Sequence, residues 1–161
     1  MTTIIKYIKY LPTFITVFSL TLLFACGPEN SNIIETSTVS DQPLSIDTFS
    51  TFPNEINGCS CYFSNDSIEF KKGEYIYMND FAETSFLKIN GVLTKFTQTD
   101  FIEVNKANTK AKYKSGNYEM TIEVKNGKES GDETMLKSGT IILTDKNGKS
   151  VTKVFYGECG C

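Results

Sequence analysis

The chain has 161 residues, 40% of them hydrophobic and 22% charged, with a formal net charge of −3. It contains no His, no Trp and no Arg, so all 16 basic residues are Lys. Without His there is no imidazole general base, no Ser/His or Cys/His nucleophilic pair and no zinc site of the His-containing kinds. Without Arg there is no guanidinium fork to clamp phosphate or carboxylate.

At the amino terminus Lys6 and Lys9 precede an uncharged apolar run, Leu11 to Ala25, that ends in a small residue. That is the anatomy of a removable signal peptide. A membrane-spanning helix needs about 20 apolar residues, and this shorter run gives way directly to Gly27-Pro28-Glu29-Asn30. Residues 1–25 are therefore expected to be cleaved. Losing Lys6 and Lys9 would leave 14 basic against 19 acidic residues, a net charge of −5, and a mildly acidic surface disfavours nucleic acid as a partner.

The junction Leu23-Phe24-Ala25-Cys26 resembles the lipobox of bacterial lipoproteins, where a Leu three before and a small residue one before mark the Cys that becomes the new amino terminus. The resemblance implies a diacylglyceryl group on the Cys26 sulfur and an acyl chain such as palmitate on its amine. Two or more chains anchor a protein stably in membrane lipid. Position 27 is Gly and not the Asp that holds enteric lipoproteins in the inner membrane, so the resemblance implies an outer-membrane location, on the periplasmic or the surface face. An odd fifth Cys beside four others also needs a use in an oxidising compartment, and attachment to lipid supplies one.

Residues 26–57 are rich in Ser, Thr, Asn, Asp and Pro with scattered apolar positions, and read as a lipidated end followed by a flexible tether. About 30 flexible residues reach on the order of 30 Å. The alternative is that Leu44, Ile46, Phe49 and Phe52 add a strand to the domain that follows.

From Gly58 to Cys161 the chain changes to short apolar or alternating runs. Asn90-Gly91, Asn126-Gly127 and Asn147-Gly148 are hairpin signals, because both positions accept positive φ. Tyr118 to Lys125 alternates most clearly, with Tyr118, Met120, Ile122 and Val124 on one face and Glu119, Thr121, Glu123 and Lys125 on the other. Further strands are expected near 59–64, 74–79, 84–89, 92–97, 100–104, 109–114, 138–144 and 150–156, with no helical stripe. The domain over 58–161 is thus expected to be all-β, a single small antiparallel barrel or sandwich of about eight strands.

Two Cys-x-Cys motifs bound this domain, Cys59-Ser60-Cys61 and Cys159-Gly160-Cys161. Residues two apart on a strand share a face, so neighbouring end strands could form two disulfides. Antiparallel strands would pair Cys59 with Cys161 and Cys61 with Cys159, parallel strands would pair Cys59 with Cys159 and Cys61 with Cys161, and pairing within each motif is the third connectivity. Four thiols could instead hold a soft metal or shuttle a dithiol.

Carboxylates are scattered, and the nearest pairs, Asp132/Glu133 and Asp100/Glu103, fall in or beside expected turns. No phosphate-binding Gly-rich loop, Gly-x-Ser-x-Gly elbow or calcium loop is present. The chain is expected not to be an enzyme and to need no cofactor or metal. Lys106, Lys110, Lys112 and Lys114 are spaced to share one strand face, as a solvated face or a contact for an acidic protein or polysaccharide. Ala111-Lys112-Tyr113-Lys114-Ser115 resembles part of the loop by which periplasmic c-type lysozyme inhibitors enter the enzyme's cleft, and those inhibitors are small β-barrels, often lipid-anchored. The likeness implies Lys110, Lys112, Tyr113, Lys114 and Ser115 as candidate binding residues. The two ends of the domain, Gly58 to Phe63 and Phe155 to Cys161, resemble short lipoproteins of Bacteroidota, a likeness that implies no activity. In that group Asp66-Ser67-Ile68 fits a loose O-glycosylation pattern. The expectation is a lipid-anchored cell-envelope protein with a non-catalytic binding or structural domain; the alternatives are a lysozyme-inhibitor-like protein binder and a Cys₄ metal-binding or thiol-redox domain.

Overall fold

The computed structural model describes residues 42–161. The expected signal peptide, Cys26 and the first part of the tether lie outside the described residues. In chain order the elements are β1 (Ile46–Asp47), β2 (Ser60–Ser64), α1 (Ser67–Lys72), β3 (Tyr77–Asn79), β4 (Thr84–Ile89), β5 (Val92–Asn105), β6 (Asn108–Ser115), β7 (Tyr118–Gly131), β8 (Thr134–Asp145) and β9 (Ser150–Gly160). From β2 to β9 each strand pairs antiparallel with the next, and β9 returns to pair with β2. Eight strands therefore close into a barrel, with β1 added to β4. Closure removes the unpaired edges an open sheet would present.

Period-2 alternation then sorts the side chains. Phe63, Tyr77, Leu87, Phe96, Tyr113, Met120, Ile122, Ile141, Leu143 and Phe155 are buried in one core cluster, each large apolar side chain contributing about 1.5–3 kcal/mol. Along β7, Met120 and Ile122 are buried while Glu119, Glu123 and Lys125 are exposed, as the alternation predicts. The centre of the core is a stack: Phe63 lies flat on Phe155, with ring centroids 4.3 Å apart and planes 7° from parallel, and on Tyr77 at 5.3 Å. Two glycines make room for it. A Cβ at Gly157, opposite Phe63, would collide with the Tyr62 carbonyl and the Phe63 ring; one at Gly139, opposite Phe155, would collide with the Glu123 carbonyl and the Phe155 ring.

The β2–β9 register places Cys61 opposite Cys159. The disulfides are Cys59–Cys161 and Cys61–Cys159, with Cα atoms 4.0 Å apart in both, the antiparallel member of the three connectivities.

Several local expectations are corrected. The segment left open as tether or strand supplies β1. Strand β3 has three residues and reaches only Ser85–Leu87 of β4, so Ile46 and Asp47 take the ladder positions beyond, at Ile89 and Lys88. Ile46 is buried there, and Asp47 Oδ2 accepts a hydrogen bond from Gly91 N at 2.6 Å. The expected strand over 74–79 shortens to β3, with Tyr75 bridging Phe49. Before it comes the short helix α1. Asp66 caps this helix, its Oδ1 accepting from Ile68 N at 2.7 Å and Glu69 N at 2.9 Å, and Gly73 ends it at φ 73°. Both are ordinary helix boundary signals. The two strands expected over 92–97 and 100–104 are one strand, β5, with an irregularity between Gln98 and Asp100. Asn126-Gly127 is not a turn: β7 passes through it with a bulge, and the reversal comes at Asp132-Glu133, where Glu133 has φ 57°. Asn126 is held in the sheet because its N–H donates to Ala107 O at 2.8 Å and its Nδ2 to Lys106 O at 3.2 Å.

The two bridges span almost the same loop, with sequence separations of 102 and 98. Either alone keeps that loop shut, so replacing Cys59 and Cys161 by Ser is expected to cost much less than removing both bridges, which forfeits roughly 4–5 kcal/mol. Urea unfolding of the parent, the single-bridge form and the bridgeless form measures this; equal, additive losses would contradict it. Gly157→Ala is expected to cost about 2–4 kcal/mol in the same assay, through overpacking against Phe63.

Candidate functional site: the mouth of the barrel

The strands are unequal. β2 and β3 have five and three residues, whereas β5 and β7 have 14 each and β8 has 12. The long strands rise past the short ones at the end where Cys61 and Cys159 sit, and a cavity of about 540 Å³ opens to solvent there. At the other end Ile46 and Ile89 pair and are buried, with Leu44, Tyr118 and Val151 packed on the same core. The barrel is filled at one end and hollow at the other. A volume of roughly 300–1,000 Å³ is usual for a site that takes one small molecule, and an eight-stranded barrel is just wide enough to hold one.

The cavity wall is largely apolar, built by Phe63, Tyr77, Phe101, Ala111, Tyr113, Ile122 and Val124, with the Cys61–Cys159 bridge on one side. A few polar side chains line it: Asn79, Gln98, Asn126, Lys137 and, on the β3–β4 connection, Glu83. Asn79 Oδ1 accepts from Cys61 N at 3.1 Å and Phe81 N at 3.3 Å, which fixes its amide. Deeper in, the Tyr77 and Tyr113 hydroxyls lie 3.3 Å apart, within hydrogen-bonding distance. Burial pushes both phenols above their ordinary range, Tyr77 well above it, with the neighbouring Tyr113 adding to the effect on Tyr77. Lys137 Nζ donates to Asn126 Oδ1 at 2.6 Å and contacts Met135 Sδ at 3.4 Å. Burial lowers its pKa.

The residues suggested by the lysozyme-inhibitor likeness are arranged differently. They lie in strand β6, with Lys110, Lys112 and Lys114 on its outer face and Tyr113 buried inside the barrel. Ser115 ends the strand opposite Tyr118, and Lys106 falls in the β5–β6 turn, off the shared face. Each outer lysine has a carboxylate across the ladder: Lys110–Glu123 at 2.7 Å, Lys112–Asp100 at 3.9 Å and Lys114–Glu119 at 2.9 Å. The stripe is largely neutralised, and the segment forms no protruding loop. The sulfurs of Cys59, Cys61, Cys159 and Cys161 are joined in bonds, whereas a metal would need them as thiolates. Among the described residues no group of three or more His, Cys, Asp or Glu is placed to hold a metal ion.

The cavity itself was not marked by any motif. One signal was present: Lys137 stands in the inward phase of β8, in step with Gly139, Ile141 and Leu143, and a lysine in the core phase of a strand asks for a reason. Nothing in the sequence announced that Phe101, Asn79 and Asn126, from three different strands or strand ends, would meet there.

No family model, no curated protein and no solved structure matches this chain.

Truncating Tyr113 to Ala is expected to lower stability by about 3–5 kcal/mol, whereas Lys112→Ala on the outer face should stay within about 0.5 kcal/mol; chemical unfolding separates the two. The phenols also set a pH dependence. Because their folded-state pKa values lie above the unfolded value near 10, the folded state holds those protons more tightly. Their contribution is fully present below about pH 10 and is lost as pH rises through the folded-state values. The urea midpoint is expected to fall above about pH 10, and less steeply in a Tyr77→Phe, Tyr113→Phe double variant; parallel curves would refute the assignment.

Proposed function

We propose that the chain is a lipid-anchored protein of the cell envelope, held at the outer membrane through Cys26, whose barrel works by binding a small molecule in its mouth and not by catalysis. The observation that carries this is the cavity of about 540 Å³, apolar over most of its wall with a few polar groups near the opening. That composition is what a small-molecule site needs, since apolar area supplies affinity and a few placed polar groups supply orientation. The ionisable groups around it support binding over chemistry. Lys137, Glu83 and two phenols held protonated by burial make no nucleophile and base in hydrogen-bonding reach of one another, which covalent or acid–base catalysis requires. The apolar run before Cys26 and the two disulfides both suit an exported chain.

Two measurements test the two halves of this proposal. The intact mass of membrane-extracted protein is expected to equal residues 26–161 plus a diacylglyceryl group and an acyl chain; an unmodified chain beginning before Cys26 would overturn the anchor. In lipid nanodiscs, after subtraction of empty discs, the protein is expected to take up a neutral naphthylamine probe saturably at one site. Ala111→Phe, which fills the cavity wall, is expected to abolish uptake with the thermal midpoint nearly kept. Uptake unchanged by both Ala111→Phe and Val124→Phe would mean that the mouth is not the site.

A further inference from the structure

Lys137 is set apart from the other lysines of the domain that stand near its site. Those of the neighbouring outer face have carboxylates at 2.7 to 3.9 Å. Lys137 lines the cavity, and its ammonium touches only a neutral amide oxygen and a thioether. Among the described residues no carboxylate lies within ion-pair distance of it. An ammonium carries three donors, and the protein supplies acceptors for two of them. The other charged group on the wall, Glu83, sits on the exposed connection before β4 and makes no ion pair with Lys137. A half-buried cation held without a counter-charge costs stability, since desolvation is not repaid by a partner.

Resting on the binding function proposed above, we propose that the barrel mouth takes a small monocarboxylate with an apolar or aromatic body, its carboxylate on the Lys137 ammonium and its body against Phe63, Tyr113, Ile122 and Phe101. The charge balance favours this head group. One ammonium neutralises a monoanion, whereas the second charge of a phosphate monoester would stand uncompensated in a site without Arg. Asn126 completes the anchor: it already holds Lys137 through Oδ1, and its own backbone and Nδ2 are tied to the β5–β6 turn, so the cation is positioned before any ligand arrives. Preorganisation of this kind lowers the entropic cost of binding. The aromatic wall offers edge and face contacts to a ring or an alkyl chain.

The test uses the anchored full chain in nanodiscs and three soluble probes of one shape, 4-phenylbutyrate, 4-phenylbutanol and 4-phenylbutylamine, titrated calorimetrically with empty discs as the blank. The acid is expected to bind about tenfold or more tightly than the alcohol, as a charge-assisted hydrogen bond implies, and the amine more weakly than either. Lys137→Met is expected to remove the advantage of the acid while leaving the alcohol within about twofold, and Lys137→Arg to restore most of it. If acid and alcohol bind equally and Lys137→Met alters neither, the carboxylate anchor is wrong and the cavity site stands. An amine that binds best assigns the site to Glu83 and overturns the proposal. Failure of all three probes and of the neutral naphthylamine overturns the cavity site itself. Should Lys137→Met shift the thermal midpoint strongly, the comparison of acid with alcohol on the parent protein and on Lys137→Arg still decides the matter.

Discussion

Strand β2, near the start of the described chain, lies against β9 at its very end, over five register pairs from Ser60↔Gly160 to Ser64↔Tyr156. Every other ladder of the barrel joins strands that follow one another in sequence, so this seam alone decides whether a meander becomes a barrel. It closes a loop of about 100 residues, whose entropic cost local hairpins do not meet. Four things hold it together: the ladder, the two disulfides, the Phe63–Phe155 stack and the absence of a side chain at Gly157. They are interdependent, since the ring of Phe63 occupies the space a Cβ at Gly157 would take.

The cavity follows from the same closure. An eight-stranded barrel with matched strands fills itself with side chains. Here three residues of β3 and five of β2 face 14-residue strands on the other side, so the packed layers stop while the long wall continues. The lower end is finished by Ile46 of β1, recruited where β3 runs out of length. Outside the barrel an aromatic cluster finishes the short side, with Tyr62 stacked on Phe70 of α1 and Phe52 and Tyr75 edge-on to Tyr62. The helix and the segment before β2 are thereby packed against the barrel, and the opening is left at the end bounded by the two long hairpins.

Charge is distributed by the same geometry. On the outer face of β6, the antiparallel register sets Lys110 and Lys114 opposite Glu123 and Glu119 of β7 and Lys112 opposite Asp100 of β5, so alternation in one strand is answered by alternation in its neighbours. On the inner face, among the described residues, no carboxylate comes within ion-pair distance of Lys137. Lys137 falls in the inward phase and is left with Asn126. A basic stripe that looks functional in one dimension is largely neutralised in three, and the lysine in the inward phase of β8 becomes the cation of the cavity wall.

What the sequence determined by itself is local or combinatorial. Alternation from Tyr118 to Val124, the Asn90-Gly91 turn and the two Cys-x-Cys motifs were enough for an all-β fold with about eight strands, because period-2 patterning and positive-φ residues act over a few positions. The helix was not among the expected elements: Asp66 and Gly73 are its boundary signals, but six residues are too few to show a stripe. Cys26 and the run before it remain a matter of sequence alone. Tertiary structure decided the rest. Asn126-Gly127 lost its turn because Asn126 is bonded to the β5–β6 connection, a contact no window of sequence contains. The choice among three disulfide connectivities waited on the direction in which β9 meets β2. The site depended on the lengths of strands relative to one another and on which phase of β8 faces inward, and both are fixed only when the seam closes and all eight strands share one interior.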